Sequence, residues 1–297
     1  MSAPQPPSIP TAAQGRLHHS AQPGAAVTSF LTYSEYLMLD QMGLEPIGAV
    51  VGLSVMHLGR IQLAGITQAV ELEAYSQFLS AGRLAAIGRM QDEAAALGAD
   101  GIITQTVVTE RRFDAEEHEY SIRGTAVRFR PQPGALRTPS GRPFVFVLAV
   151  QTLYQMLRVD MAPVSYGYGV CVYHVPHRSM RQAFGQTFQN VEVPMFTDAW
   201  YTAREIALSR LQAMHEQQGA QLVMADVVEE AEAFGEHTAE FRAFGTGWVR
   251  REGISQLIPP MDATVAGLLA NGVYVIADNP VTAPGQPTAH RPPAADG

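Results

Sequence analysis

The sequence predicts an α+β fold of two tandem β-α-β-β domains, each a helix laid on a small antiparallel sheet behind a short leading helix. An internal repeat and a shared order of hydrophobic periods within its copies lead to this reading. Gly43 to His57 aligns with Asp160 to His174 at a shift of 117, setting Pro46 on Pro163, Gly52 on Gly169, Val55 on Val172 and His57 on His174. Further on the shift becomes 121: Arg83 meets Arg204, Gly98-Ala99 meets Gly219-Ala220, Glu119 meets Glu240 and Gly124-Thr125 meets Gly245-Thr246. One stretch is less regular, since Val107 meets Val228 while Val108 meets Glu229. The change of shift places a four-residue insertion around Arg178 to Glu192 of the second copy.

Each copy opens with a short apolar helix, Tyr33 to Gln41 or Val150 to Arg158, closed by Pro46 or Pro163. A β-branched apolar run follows, Ile47 to Leu58 or Val164 to Val175, with glycine where a bulge or a close backbone approach sits. A long amphipathic helix comes next, with Tyr75, Phe78, Leu79, Gly82, Ala86, Ile87, Met90, Ala94 and Leu97 on one seam, repeated by Phe196, Ala199, Trp200, Ala203, Ala207, Leu208, Leu211 and His215. Gly98 and Gly219 are natural stops for these helices. Two strands around an acidic hairpin complete the unit, Gly101 to Val108 with Tyr120 to Phe129, and Leu222 to Val228 with Phe241 to Val249. Gly167-Tyr168-Gly169 and Gly245-Thr246-Gly247 lack the strand–loop–helix setting of a phosphate loop and read as bulges.

The predicted organisation is an unstructured arm over 1–27, a first domain over 28–130, a Pro- and Gly-rich linker over 131–142, a second domain over 143–252, an extension over 253–278 that packs on the domains, and an unstructured tail over 279–297. Within the extension, Met261 to Val275 resembles the leading helix and turn of each copy. A three-stranded sheet with one covering helix leaves a face and both edges open, and oligomerisation is the usual way to satisfy them.

Composition removes several classes of function. Among 297 residues all 20 basic side chains are Arg, so Schiff-base chemistry, a Lys general base and a P-loop Lys are excluded. A net charge of -8 argues against general nucleic-acid binding, which needs a basic face. Cys171 is the only cysteine and excludes an intrachain disulfide framework. No run reaches the ~20 apolar residues of a bilayer helix, and the start lacks a secretory pattern, so the expectation is a cytoplasmic protein.

Gly98-Ala99-Asp100-Gly101-Ile102-Ile103 after a helix, Gly124-Thr125-Ala126-Val127 in the last strand, and Ala203-Arg204-Glu205-Ile206-Ala207 in the second long helix resemble the YbjQ-like family, over about 100 residues of each copy. The resemblance implies a dodecin-like α+β subunit, assembly into pentameric rings, and a heavy-metal-binding label that travels with no fixed ligand set. Two departures stand out. The domain is doubled, which is at odds with a simple five-domain ring, and the second copy reads Gly219-Ala220-Gln221 where the family has Gly-Ala-Asp.

Candidate metal ligands gather in Cys171-Val172-Tyr173-His174-Val175-Pro176-His177, donors that suit a divalent transition metal. Residues three apart on a strand point to opposite faces, so Cys171 and His174 converge only if the strand bends, for which Pro176, bringing His177 nearer, is the candidate. His57 and His174 form the repeated pair, and a hydrogen-bonded interface histidine is the competing reading of both. His118 and His237 lie in the acidic hairpins, which otherwise read as solvated charge. His215, where the first copy has Ala94, reads as a hydrogen-bonded core histidine. No nucleophile–His–acid arrangement emerges. The expected function is therefore that of a non-enzymatic, ring-forming homo-oligomer that binds a metal at domain or subunit interfaces. An adaptor whose terminal arms capture a protein partner is the alternative, and storage of a flavin between subunits a third, by fold analogy.

Overall fold

The structure, a computed structural model, describes residues 9–59, 68–112, 117–175, 194–231, 238–263 and 265–266. His177, His237, the tail over 279–297 and the insertion around Arg178 to Glu192 lie outside the described residues. The chain order is α1 (Thr11–Ser20), α2 (Tyr33–Gln41), β1 (Leu44–His57), β2 (Val70–Glu71), α3 (Glu73–Ala96), β3 (Gly101–Arg112), β4 (Glu117–Phe129), β5 (Phe144–Phe146), α4 (Val150–Leu157), β6 (Met161–His174), α5 (Pro194–Gln217), β7 (Leu222–Ala231), β8 (Thr238–Arg250) and α6 (Ile254–Leu257). Among the described residues no helix is long and apolar enough to cross a membrane.

Local chemistry sets several boundaries. Thr32 and Glu35 form a reciprocal capping box at the start of α2. The long helices stop at Gly98 and Gly219, which take φ of +74° and +78°, a region open to glycine and costly to a side chain. Gly52 and Gly169 let the helices settle directly on the strands: a Cβ at either would lie 1.9 Å from the carbonyl oxygen of Ala86 or Ala207.

The strands form two sheets, ordered β1-β4-β3-β5 and β2-β6-β8-β7. Their antiparallel registers agree at the shifts of the repeat: Val51 faces Arg123 as Tyr168 faces Phe244, and Gly101 faces Val127 as Leu222 faces Trp248. Each sheet gains its fourth strand from the other half of the sequence. β5, placed by its sequence at the head of the second domain, runs parallel to β3, with Gly101, Ile102 and Ile103 opposite Phe144, Val145 and Phe146. β2, from the first half, pairs with β6 through Val70–His174 and Glu71–Tyr173.

This exchange makes residues 1–261 one compact unit, with residues 262–297 a second, so the division near 131–142 separates sequence copies rather than bodies. Within the larger unit the layers run first sheet, α3, second sheet, α5. Leu79, Ala86, Ile87 and Met90 of α3 share one buried cluster with Val50, Tyr120 and Ile122 of the first sheet and with Tyr166, Tyr168, Val170, Val172 and Phe244 of the second. On the far face of the second sheet, Ala203, Ala207 and Leu211 of α5 pack against Cys171, Phe241 and Ala243. β6 is thus buried on both faces, whereas β1 leaves Leu53 and Val55 exposed.

Three sequence expectations change. The arm predicted over 1–27 contains α1, whose Leu17 enters the core and whose Arg16 bonds the Ala49 carbonyl and pairs with Glu93 at 2.6 Å. A single buried apolar residue in ten gives α1 too little periodicity to be read as packed. The linker is held in place: Asp100 accepts from Gly134 N at 2.9 Å and from Arg137 Nε at 3.1 Å, while Arg251 donates to the Arg137 carbonyl at 2.7 Å. The Gly-x-Gly segments are close approaches and not bulges; the register shifts on β1 and β6 fall at Pro46/Gly48 and Pro163/Ser165, and those on β3 between Thr104 and Thr109.

Candidate functional site

β6 carries most of the candidate chemistry and shows why the predicted ligands do not meet. It pairs with β8 without interruption from Ser165 to His174, so alternation holds and no bend intervenes. Cys171 therefore points to α5 and is wholly buried there, in the cluster with Ala207 and Phe241. Burial, followed by the negative charge of Glu71, pushes its thiol up to about 12, far from a metal-ready thiolate. His174 lies on the opposite face, 6% exposed, and neither ring nitrogen is hydrogen-bonded to any of the described residues.

His57 holds the equivalent register position on β1 but is exposed, opposite Glu117. The repeat equates the two histidines; the fold separates their environments, because the face that bears His174 is covered by the other half of the chain. His118 is buried on β4 and meets the Phe78 ring edge-on at 5.0 Å. Among the described residues no three His, Cys, Asp or Glu side chains gather as a metal would need. The described residues therefore do not form a complete ligand set within one chain.

The hydrogen-bonded core histidine expected at His215 is present, and its partner Ser165 is the residue that the sequence does not single out. Ser165 Oγ and His215 Nδ1 are 2.6 Å apart, with His215 fully buried and Ser165 2% exposed. Gly167 and Gly247 make room for the ring; a Cβ on either would fall 2.3 to 2.5 Å from an imidazole nitrogen. Burial lowers the His215 pKa to about 4. Both side chains are sealed from solvent, and among the described residues no carboxylate is bonded to the ring, so the arrangement is that of a packing contact. The repeat carries its trace: the aligned positions are Gly48 and Ala94, a matched pair of small residues.

The Gly-Ala-Asp motif also resolves into a structural role. Asp100 Oδ2 accepts from Phe129 N at 2.8 Å, tying the helix–strand turn to the end of the hairpin. Gln221 occupies the aligned site, and its Oε1 accepts from Arg250 N at 2.9 Å, the same bond made by an amide. The departure from the motif keeps its function. At the edge of β6, between α3 on one face of the sheet and α5 on the other, lies a groove of about 560 Å³ lined by Ser76, Gln77, Ser80, Tyr168, Arg210 and Met214, with Arg210 engaged by Glu71 at 3.0 Å.

The family described as "Putative heavy-metal-binding" matches residues 41–130, which cover α3 and the strands β1, β3 and β4 of the first sheet. The encapsulin nanocompartment protein Rv1762c of Mycobacterium tuberculosis is 38% identical over 258 residues, 86% of this chain and 97% of the relative. The UPF0145 protein of Archaeoglobus fulgidus is 38% identical over 90 residues, 29% of this chain and 82% of the relative, and that of Helicobacter hepaticus 39% over 88 residues, 28% and 84%. The chain belongs to the YbjQ-like family. No solved structure matches the chain at a comparable level. In YbjQ-like terms, the two short relatives are of the size of one half of this chain, and the mycobacterial relative spans both.

Proposed function

We propose that this YbjQ-like chain is a non-enzymatic assembly protein, two dodecin-like modules in tandem, that serves as a component of a cytoplasmic nanocompartment of the encapsulin kind. The supporting observation is the relative of that name, which aligns with this chain over 97% of its own length. The sealed Ser165–His215 pair and the inert Cys171 agree with a role carried by surfaces rather than by bond chemistry. The Pro- and Ala-rich composition of the end of the chain suits it to capture of a shell protein.

Co-expression with an encapsulin shell protein, followed by density-gradient sedimentation and protease treatment, tests this reading. The chain is expected to travel with the shell particle and to resist protease there. A chain that stays at the top of the gradient and is digested at the rate of the free protein refutes it.

The metal reading draws on one described side chain, His174, buried with two ring nitrogens that bond none of the described residues, together with the family description. Any metal held there needs donors beyond those that His174 meets in the described chain. Elemental analysis of the untagged protein beside His174→Ala tests it. Stoichiometric metal lost on substitution supports the reading; bare polypeptide in both samples ends it.

A further inference from the structure

β1 and β6 are equivalent in the repeat, and their outer edges are finished differently. A sheet edge presents carbonyl and amide groups that need partners, and a covering helix is one way to supply them. On β1 the Leu53 carbonyl accepts from Arg89 of α3, the Val51 amide donates to Glu93 at 3.0 Å, and the Ala49 carbonyl accepts from Arg16 of α1. Arg16 also pairs with Glu93 at 2.6 Å, and Leu17 beside it enters the core. One cation and one apolar side chain thus seat α1 on this edge.

The repeat carries the first of these bonds to β6 intact. Arg210, at a shift of 121 from Arg89, donates at 2.7 Å to the carbonyl of Val170, at a shift of 117 from Leu53. The rest of the seat is rebuilt. Val51 corresponds to Tyr168 and Glu93 to Met214, and both of these line the groove at the edge of β6. The groove therefore lies where the first half places α1. β2 pairs with β6 only at Tyr173 and His174, so β6 is an edge strand along the groove. The segment that takes the place of α1 in sequence is committed elsewhere: at the shift of 117, Arg16 and Leu17 fall on Pro133 and Gly134, and the Gly134 amide donates to Asp100 at 2.9 Å.

We propose that this groove docks a short amphipathic helix of a partner protein, as the edge of β1 docks α1. The lining sets the chemistry of that helix. Met214 in place of Glu93 removes the acceptor for a cation and leaves a pliable apolar contact, with Leu84 on the facing wall. An apolar side chain therefore takes the position that Arg16 has on α1. Arg210 is neutralised by Glu71 at 3.0 Å, so Glu73 supplies the net charge of the lining and a basic side chain suits that end. A volume of about 560 Å³ holds a few side chains and not a whole helix, so the partner lays one face into the groove.

This site is independent of association with a shell and is tested without one. The probe is a labelled peptide of residues Ile9 to Ser20 carrying Arg16→Leu, with the unsubstituted peptide beside it, added to the full-length protein. Isotope labelling of the methionine methyl groups lets the Met214 resonance, identified by its loss in Met214→Glu, report on the groove directly. The substituted peptide is expected to shift that resonance and to bind at least tenfold more tightly than the unsubstituted one. Met214→Glu restores the acid of the first half and should reverse the preference, read by fluorescence anisotropy. Ala81→Arg, at an exposed position on the α3 wall, should weaken the substituted peptide at least tenfold, with thermal melts establishing that the variant is folded. A Met214 resonance that ignores the peptide, equal affinities of wild type for the two peptides, or binding that survives Ala81→Arg would each overturn the proposal. So would a groove that accepts peptide only on dilution of the protein, which marks a second copy of the chain as its occupant.

Discussion

At the scale of residues, Ser165 and His215 hold the most specific commitment of the second half. The folded His215 titrates near 4, below the ordinary 6.5, so the unfolded chain takes up the proton first. Its contribution to stability is whole above pH 6.5 and is lost as pH falls from 6.5 to 4, about 3 kcal/mol at about 1.4 kcal/mol per unit. His215→Ala leaves the Ser165 hydroxyl unpaired beside a cavity and is expected to cost about 2–4 kcal/mol at neutral pH. Adding Ser165→Gly restores the Gly48–Ala94 pairing of the first half and should recover part of that loss. Urea unfolding at pH 7.5 and 4.5 checks both: the difference between the two pH values shrinks in His215→Ala, and the double variant is more stable than the sum of the singles. Cys171 makes a second residue-level prediction. With its thiol pushed up to about 12 and fully buried, it should resist disulfide reagents in the native state and react at once in denaturant. Brisk reaction of the folded protein would contradict its placement.

At the scale of elements, periodicity made the long pieces legible. Seam residues every third and fourth position announce α3 and α5, and the glycines that end them are readable from L-amino-acid sterics alone. β2 and β5 were not legible, being two and three residues long and paired with the opposite half, which no local pattern reports. The candidate site fared likewise. Strand alternation correctly separated Cys171 from His174, but nothing in either copy could tell that His174 is buried and His57 exposed, since the cover comes from the other half. Helix–strand contact is set by Gly52 and Gly169. Gly52→Ala or Gly169→Ala drives a methyl into a helix carbonyl and is expected to destabilise by about 2–3 kcal/mol through a displaced helix. Gly219→Ala, with open space around a positive φ, should cost only about 1 kcal/mol. Denaturation midpoints that rank these variants otherwise would fault the packing described for α3 and α5.

At the scale of the whole molecule, strand exchange binds the two halves of the sequence into one body. α3 serves both sheets, and each sheet is completed by a strand from the other half. The larger unit should therefore unfold in a single calorimetric transition, and a fragment of residues 28–130 should not form a stable monomer, because it lacks β5 and exposes the face of α3 that Tyr168 and Phe244 cover. Two separate transitions, or a well-folded monomeric fragment, would show the halves to be independent.

The interlocking of the two halves is the central claim, and Arg83 tests it most directly, since its guanidinium donates to Tyr166 Oη at 2.8 Å and lies over the Tyr168 and Phe244 rings of the second sheet. Arg83→Ala is expected to destabilise the larger unit by about 2–3 kcal/mol. Native-state hydrogen exchange should then show β1 and β8 losing protection by the same factor, one from each sheet. A loss confined to one sheet would contradict the single interlocked body.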